Sequence, residues 1–262
     1  MKYIQGQDFF RIGRVRISVT DEERAISSIK GFIHNKQTGY VCISTLRTVA
    51  VANKDNRYYE VMENSLMNTP DGTPLVWCGH WWGLKEVHRA CGPHIFPRML
   101  KDKAPELKHF FLGDTEETLA ALTKKATEEF GATVVGSFSP PFKPLEEYDI
   151  EGIAKMINDS GATIVWTALR APKQDILDSM ITPYLNNGIV MIGVGAAFRS
   201  VLGQLKQPDG FLQKVGLAGL KFKREGVTRL DQIGWYWKHT GYLICYFFST
   251  ITKRLSGKKY FE

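Results

Sequence analysis

The sequence predicts an α/β protein in which helices cover an open, parallel β-sheet and a basic amphipathic helix follows. Three observations lead to this expectation. From about residue 40 onward, short runs rich in Val, Ile and Phe alternate with stretches of helical periodicity. The 262 residues, 44% hydrophobic and 23% charged, have a globular composition and suffice for a sizeable core. The positive charge is concentrated in residues 221–262.

Five apolar runs bounded by turn residues are the expected strands. They are GYVCIS (39–44), HFFLGD (109–114), ATVVGSF (132–138), ATIVWTA (162–168) and GIVMIGVG (188–195). Two helices are expected over 115–131 and 147–161, because apolar residues recur there at intervals of three or four. These are Leu119, Leu122, Ala126 and Phe130 in the first helix, and Ile150, Ile153, Met156 and Ile157 in the second. In such sheets ligands bind beyond the carboxyl ends of the strands.

Several classes of protein are not expected. The first residues, MKYIQGQDFFRIGRVR, contain no apolar leader core, so we expect a cytoplasmic location. The four cysteines are scattered without a CxxC pair, which indicates reduced thiols rather than a disulfide framework. No run of about 20 apolar residues could span a membrane.

The charge distribution divides the chain near residue 222. Residues 221–262 contain nine Lys or Arg and three Asp or Glu, so they hold +6 of the net charge of +7. Ten aromatic residues lie in the same segment. Such a surface is typical of proteins that meet phosphate, on an anionic membrane or on nucleic acid. We therefore expect one main domain over 1–222 and an appendage over 223–262.

Asp71 lies in the stretch NTPDGTPLVW (68–77), where a turn is followed at once by an apolar run. Pro, Asp and Gly in this order are good turn formers, and a turn alone would explain them. The carboxylate also falls where a buried element meets a loop, which is a suitable position for a base. The residues alone leave both interpretations open.

The segment GVGAAF (193–198) follows an expected strand. Gly193 and Gly195 would allow backbone N–H groups to approach a phosphate. The dinucleotide-binding pattern GxGxxG needs a third glycine where this chain has Phe198, so NAD binding is not expected. A tight strand-to-helix turn and a nucleotide contact both remain open.

Two further segments offer candidate anion ligands. In APKQD (171–175), Pro172 suits the first turn of a helix, and Lys173 and Gln174 would lie at its positive end. This segment could also be an ordinary solvated helix start. Arg89 could clamp a diphosphate through its planar guanidinium group. Its neighbours His88, Cys91 and His94 suggest zinc, but no second ligand pair is nearby beyond His80, and we expect no metal.

Taken in order, these segments resemble the WecG/TagA/CpsF glycosyltransferases, glycosyltransferase family twenty-six. The resemblance covers roughly residues 40–230, and its most specific parts are APKQ and the block that follows residue 192. The matching segments are PDG (70–72), Arg89, the FLG strand end (111–113), GSFSPPF (136–142), APKQ (171–174) and GVGAAF…GQLKQPDGFLQKVGLAGL (193–220).

The resemblance implies a Rossmann-like domain that needs no metal or other cofactor. Enzymes of this family are bacterial and transfer a sugar, with inversion, from a UDP-sugar to a saccharide on undecaprenyl diphosphate. They serve teichoic acid, common antigen, capsule and exopolysaccharide synthesis. Their basic appendage docks on the cytoplasmic face of the plasma membrane and helps to close the active site. The oligomeric state is left open.

The resemblance also assigns roles to residues of this chain. Asp71 falls on the proposed base, Arg89 on the group that holds the diphosphate, and Gln174 on a ligand of sugar or phosphate. Further substrate contacts fall on Thr45, Gly113, Ser139, Lys173, Gly193, Gly195, Phe198 and Arg199. The acceptor diphosphate would meet Arg224 and Arg229 in the appendage.

This chain departs from the family pattern at three places. Arg47 replaces an Asn after the first core strand, and Arg199 replaces an Asp after GVGxxF. Both changes add positive charge near the expected donor site, which would suit an acidic sugar or a repacked site. In REGVTRL (224–230), Gly226 replaces a Pro.

The appendage is expected to form an amphipathic helix that lies on the membrane. Its apolar stripe is Leu230, Ile233, Trp237, Ile244, Phe247, Ile251 and Leu255. Trp235 and Trp237 suit the headgroup layer, and Lys253 and Arg254 suit anionic lipid. The alternative is a helix packed on the domain or on a partner subunit. Nucleic acid is not expected, because the basic residues cluster at the ends of an apolar helix.

Two functions from different classes therefore remain. One is a peripheral membrane glycosyltransferase. The other is a non-catalytic membrane protein that binds lipid-linked sugar or a polysaccharide synthase.

Overall fold

The computed structural model describes residues 8–205, 241, 246–252 and 255–256. Within them a six-stranded sheet in the order β4-β3-β8-β7-β5-β6 lies between two layers of helices, and every strand pair in it is parallel. A separate antiparallel hairpin, β1-β2, packs beside the edge strand β4. The predicted α/β class with a Rossmann-like parallel sheet is confirmed.

The strands are β1 (Phe9–Ile12), β2 (Val15–Ser18), β3 (Gly39–Ser44), β4 (Met67–Pro70), β5 (Lys108–Gly113), β6 (Thr133–Phe138), β7 (Ile164–Ala168) and β8 (Val190–Gly193). The helices are α1 (Glu22–His34), α2 (Leu46–Ala52), α3 (Asn56–Asn64), α4 (Thr73–Trp81), α5 (Gly92–Lys101), α6 (Glu116–Glu128), α7 (Ile150–Ser160), α8 (Lys173–Ile181) and α9 (Ala197–Val201). Short 3-10 turns occupy Leu145–Glu147 and Thr182–Tyr184.

The five apolar runs form β3, β5, β6, β7 and β8, and the two periodic segments form α6 and α7. Three strands were not predicted. The hairpin strands β1 and β2 have only four residues each. The four residues of β4, MNTP, are all buried although Asn68 and Thr69 are polar. A polar, proline-ended strand has no hydrophobic signature.

Alternation along the central strands sends side chains into two hydrophobic cores, one on each face of the sheet. On the first face, Tyr40 and Cys42 of β3 and Met191 of β8 pack with helices α3, α7 and α8. On the second face, aromatic rings from four elements meet at centroid distances of 4.9–5.9 Å. They belong to Phe96, Phe111, Trp166 and Phe198.

The described part of the appendage packs on the domain. Residues 246–252 are helical. The Tyr246 hydroxyl accepts a hydrogen bond from Nε1 of Trp82 (2.8 Å) and donates one to the carbonyl oxygen of Arg11. The Phe247 ring lies edge-on to Trp81 at 4.8 Å. The expected boundary near residue 222 lies outside the described residues.

The opposite face of this helix is open to solvent. Phe248, Ile251 and Leu255 are 63%, 37% and 83% exposed. Their spacing of three and four residues places them on one side of a helix. Of the predicted stripe, Ile251 and Leu255 lie on this exposed face, while Phe247 faces Trp81. In the described part of the chain, no helix combines the length and apolar character needed to cross a membrane.

Candidate active site

Several of the predicted site residues lie together at the edge of the sheet formed by the carboxyl ends of its parallel strands. Asp71 follows β4, Thr45 follows β3, Gly195 follows β8 and Ser139 follows β6. Lys173 and Gln174 begin helix α8, which comes after β7. Parallel pairing brings these loops to a common edge, the expected location for a ligand in an open α/β sheet.

Asp71 is both part of a tight connection and a presented carboxylate. Its backbone N–H donates to the carbonyl oxygen of Ser44 (2.7 Å), which extends the pairing of β4 with β3 by one residue. Gly72 then adopts a φ of +113°, and α4 begins at Thr73. A side chain at Gly72 would strain this conformation. The backbone of Asp71 is therefore held by the sheet on one side and by a helix start on the other.

Arg89 is the cationic neighbour of Asp71. Its Nη2 lies 3.6 Å from Oδ1 of Asp71, and the two side chains are 30% and 25% exposed. The N–H of Ala90 donates to the carbonyl oxygen of Pro70 (3.0 Å), which fixes the Arg89 segment against the end of β4. The two residues that were predicted as base and diphosphate ligand, 18 positions apart in sequence, thus lie side by side.

The surroundings of Asp71 suit a proton acceptor. Burial raises the pKa of its carboxyl above the ordinary value, while Arg89 and then His94 oppose that rise. A higher pKa makes a carboxylate a stronger base, and the nearby guanidinium group of Arg89 favours the ionised form needed to accept a proton. His94 lies at the start of α5 and contacts Oε2 of Glu22 through Nδ1 (3.1 Å).

Gln174 is 3% exposed, and within the described part of the chain its side-chain oxygen Oε1 has no hydrogen-bond partner. The amide lies against the turn that follows β8. A methyl group built on Gly193 would lie 2.6 Å from Nε2, and one built on Gly195 would lie 3.6 Å from Oε1. The predicted anion ligand is therefore packed beneath the glycine turn rather than projecting into solvent from the helix start.

Lys173 points towards the loop after β6. Its Nζ donates to the carbonyl oxygen of Lys143 (2.9 Å) and lies 5.0 Å from the ring centre of Tyr148. Phe142 in the same loop is fully exposed, with its ring centre 5.9 Å from Nζ. The cation and the exposed ring stand at the ligand edge of the sheet.

Three other predicted contacts have structural roles. Thr45 is the N-cap of α2, where its hydroxyl accepts the N–H of Thr48. Gly113 allows β5 to approach β7, since a methyl group there would lie 2.8 Å from the Ala168 carbonyl oxygen. Ser139 donates to the carbonyl oxygen of Asp114 (2.7 Å).

Phe198 requires a correction. Its side chain is completely buried in the second core, against Phe96 and Phe111. A ring packed in this way cannot contact a substrate. The turn between the end of β8 at Gly193 and the start of α9 at Ala197 has three residues, Val194, Gly195 and Ala196. Gly195 has a positive φ (+55°), and Ala196 is exposed. The predicted tight strand-to-helix turn is present.

Arg199 does not add an unbalanced positive charge. Its Nε and Nη2 donate to the two carboxylate oxygens of Asp114, each at 2.9 Å. Burial would raise the pKa of Asp114, but the hydrogen bonds from Arg199 and the Thr115 N–H outweigh burial and lower it. The pair links the end of β5 to helix α9. The argument that Arg199 would select an acidic donor sugar therefore loses its electrostatic basis. Arg47 is exposed at the start of α2.

Two buried carboxyl groups were missed. Asp175 and Asp178 of α8 are 1% and 0% exposed. The Tyr58 hydroxyl donates to Oδ2 of Asp175 (2.5 Å), and the Thr167 hydroxyl donates to Oδ1 of Asp178 (2.7 Å). In a sequence, two acidic residues three positions apart in a helix predict a solvent-exposed face. Their burial can be recognised only from the packing of α8 against the sheet.

The remaining predicted residues cannot be placed. Arg224, Arg229, Trp235, Trp237, Lys253 and Arg254 lie outside the described residues. Among the residues that are described, no three His, Cys, Asp or Glu side chains are grouped as metal ligands.

A comparison with protein-family models gives one match. The model described as the Glycosyl transferase WecG/TagA/CpsF family matches residues 10–220, which is most of the chain. The matched range contains every candidate residue from Thr45 to Arg199. It also includes the β1-β2 hairpin from residue 10 onward, which lies before the start of the resemblance at about residue 40.

The buried Asp175 should leave a signature in the pH dependence of stability. Burial raises the pKa of Asp175 to about 7, although Tyr58 and Gln174 lower it. The folded protein then holds this proton more tightly than the unfolded chain does. The free energy of unfolding should fall as pH rises from about 4 towards 7, by at most about 1.4 kcal/mol per pH unit from this group.

Urea denaturation of wild type and Asp175→Asn at several pH values tests this expectation. The difference between the two should change with pH between about 4 and 7 and should level off above that range. A difference that is constant over this range would show that Asp175 is not a buried, proton-holding group.

Proposed function

The chain belongs to the WecG/TagA/CpsF family of glycosyl transferases, and we propose that it transfers a sugar from a UDP-sugar to a saccharide carried on a polyprenyl diphosphate. Membership makes it a glycosyltransferase of cell-surface polysaccharide synthesis. The nucleotide, the lipid-linked acceptor and the inversion of configuration are the proposed parts.

The pairing of Asp71 with Arg89 at the ligand edge carries the proposal. In an inverting transfer, the acceptor oxygen attacks the anomeric carbon as the bond from that carbon to the diphosphate oxygen breaks. Asp71 accepts the proton of the attacking hydroxyl. UDP leaves with the bonding electron pair, and its negative charge must be stabilised.

Arg89 is well placed for that second task. Its contact of 3.6 Å with Asp71 is longer than a charge-assisted hydrogen bond, which is usually 2.7–2.9 Å. Its guanidinium group is partly exposed and can turn to bind diphosphate oxygens in a bidentate manner. The same cation lowers the pKa of the base. Arg89 would thus both bind the leaving diphosphate and favour the ionised form of the base.

The second candidate is a non-catalytic member that binds lipid-linked sugar. It would need the ligand edge but not a base. The partly buried carboxylate of Asp71, with a pKa raised by burial, favours the enzyme. Release of UDP from a UDP-sugar in the presence of a polyprenyl-diphosphate saccharide separates the two functions.

Asp71→Asn should reduce turnover by about 10² or more, because the amide keeps the shape of the side chain but cannot accept the proton. Donor binding should persist. Steady-state UDP release with saturating acceptor measures the effect. Asp102→Asn is the matched control, since Asp102 is 27% exposed, is paired with Lys30 (2.7 Å), and precedes the amino end of β5. Near wild-type turnover in Asp71→Asn would contradict its assignment as the base.

Arg89→Ala should weaken the interaction with the diphosphate by about 1.5–3 kcal/mol, the usual loss for one charge-assisted hydrogen bond. The loss should appear in kcat/KM for the donor. Lys30→Ala removes a cation from the corresponding pair at the far edge and should leave kcat/KM unchanged. If Arg89→Ala has the same donor affinity and turnover as the control Lys30→Ala, Arg89 has no part in the reaction.

The exposed face of helix 246–252 supports the membrane part of the proposal. Phe248→Ser, Ile251→Ser and Leu255→Ser together remove apolar side chains that are 37–83% exposed, while Tyr246 and its contacts with the domain remain. The triple variant should sediment less with vesicles containing phosphatidylglycerol.

Two comparisons separate membrane binding from catalysis. Binding of the wild type should weaken as salt increases, because the basic residues act through a screened surface potential. Turnover of a short, water-soluble acceptor should be equal in wild type and triple variant. Unchanged vesicle binding by the triple variant would show that this face does not contact the membrane.

A further inference from the structure

The geometry points to Asp175 as a positioning residue that determines which end of the Gln174 amide faces the glycine turn after β8. This inference rests on the proposed function, because the glycine turn is taken as part of the donor site. It narrows the class of donor group that Gln174 can bind.

A row of side chains across four strands forms the floor of this arrangement. Asn68 of β4 pairs with Cys42 of β3, Cys42 pairs with Gly193 of β8, and Gly193 pairs with Thr167 of β7. Residues paired in this way lie in one line across the sheet and point to the same face. Gly193 leaves a gap in the row, and helix α8 lies over it.

The amide of Gln174 and the carboxyl of Asp175 fill the gap together. A methyl group built on Gly193 would lie 2.6 Å from Nε2 of Gln174 and 2.7 Å from Oδ1 of Asp175. The amide lowers the pKa of the carboxyl, although Oδ1 itself has no partner of hydrogen-bond geometry among the residues that the structure describes. The other oxygen, Oδ2, is held by Tyr58. Oδ1 is therefore the atom that the amide must accommodate.

The ionisation state of Asp175 fixes the preferred orientation. An ionised carboxyl only accepts hydrogen bonds, so it favours the NH₂ end of the amide and turns Oε1 towards Gly195. A protonated carboxyl can donate its own hydrogen to Oε1, which favours the opposite orientation. In the structure, Nε2 of Gln174 and Oδ1 of Asp175 both lie beside Gly193, and Oε1 lies nearer to Gly195, which is the order expected of the first arrangement.

Oε1 in this orientation accepts a hydrogen bond and cannot donate one. It is buried and has no partner among the described residues, so a ligand that brings a donor would satisfy it. Sugar hydroxyls and the imide N–H of uracil are such donors. Ionised phosphate oxygens are not. Gln174 is therefore assigned to a hydroxyl or imide of the nucleotide sugar rather than to its diphosphate.

Other ionisable groups lie near Asp175. They are Tyr58 on α3, Tyr40 and Cys42 on β3, and Asp178 on α8. Arg16 on β2 acts on Tyr40 and Cys42. Burial raises the pKa of the two tyrosines and of the thiol, so all three stay neutral between pH 6 and 8. Asp175 has a pKa of about 7 and changes its charge in this range. Asp178 is the other carboxyl in the cluster and therefore serves as the control.

The first test needs no ligand. In ¹⁵N-labelled protein, the side-chain NH₂ signals of Gln174, assigned with Gln174→Glu, should shift with pH along a curve centred near 7. Asp175→Asn should abolish this titration, and Asp178→Asn should retain it. Tyr58→Phe removes the hydroxyl that stabilises the carboxylate, so the midpoint should move to higher pH. The Tyr58→Phe variant keeps the test valid if Asp175→Asn does not fold.

The second test uses UDP-glucose as the probe, because its diphosphate does not titrate between pH 6 and 8. Wild type should bind it roughly tenfold more weakly at pH 6 than at pH 8, the effect of about one hydrogen bond. Asp175→Asn should bind weakly at both pH values, and Asp178→Asn should follow wild type. Calorimetric titration measures all three proteins.

The outcomes separate this inference from the proposed function. A Gln174 amide that does not titrate, or an Asp175→Asn variant with wild-type affinity at both pH values, would overturn the positioning role. Absence of UDP-glucose binding by wild type at either pH, together with a normal amide titration, would instead overturn the nucleotide-sugar proposal.

Discussion

The parallel pairing of β3 with β4 is the constraint on which the candidate site depends. Its last bond, from the N–H of Asp71 to the carbonyl oxygen of Ser44, carries the sheet one residue beyond Pro70. The chain must then turn at Gly72 to begin α4. A carboxylate at this point cannot drift, because its backbone is bonded on the side of the sheet. The Arg89 segment is bonded to the same strand end through Pro70, so acid and cation share one support.

Much of this arrangement could be predicted from the sequence, and the exceptions have physical causes. The apolar strands and the amphipathic helices could be recognised because their buried residues are hydrophobic and form continuous runs in the strands or recur every three or four positions in the helices. The strand that precedes Asp71 does not, since its residues Asn68 and Thr69 are polar although they are completely buried. Gln174 was found by its motif, but its burial could not be foreseen. That depends on the missing side chain at Gly193, which lies in another strand.

The buried polar layer beneath α8 is costly for the fold. Carboxyl groups in an apolar interior are stable only if they remain protonated or find strong donors, and Tyr58 and Thr167 each satisfy a single oxygen. Oε1 of Gln174 and Oδ1 of Asp175 have no hydrogen-bond partner among the described residues. Such strain is characteristic of binding sites, where a ligand restores the missing bonds. The layer lies directly below the glycine turn, which is where a donor would restore them.

The C-terminal helix meets two opposing demands with its two faces. The Tyr246 hydroxyl accepts a hydrogen bond from Trp82, the C-cap of α4, and donates one to the carbonyl oxygen of Arg11 in the hairpin. The C-terminal helix is thereby connected to α4, which begins two residues after Asp71. The opposite face keeps three apolar side chains in solvent, which is unfavourable for an isolated protein. The proposed contact with a lipid bilayer would cover this apolar face. Contact with the bilayer would then be transmitted through Trp82 to α4, and the membrane and Asp71 would be connected by a single helix.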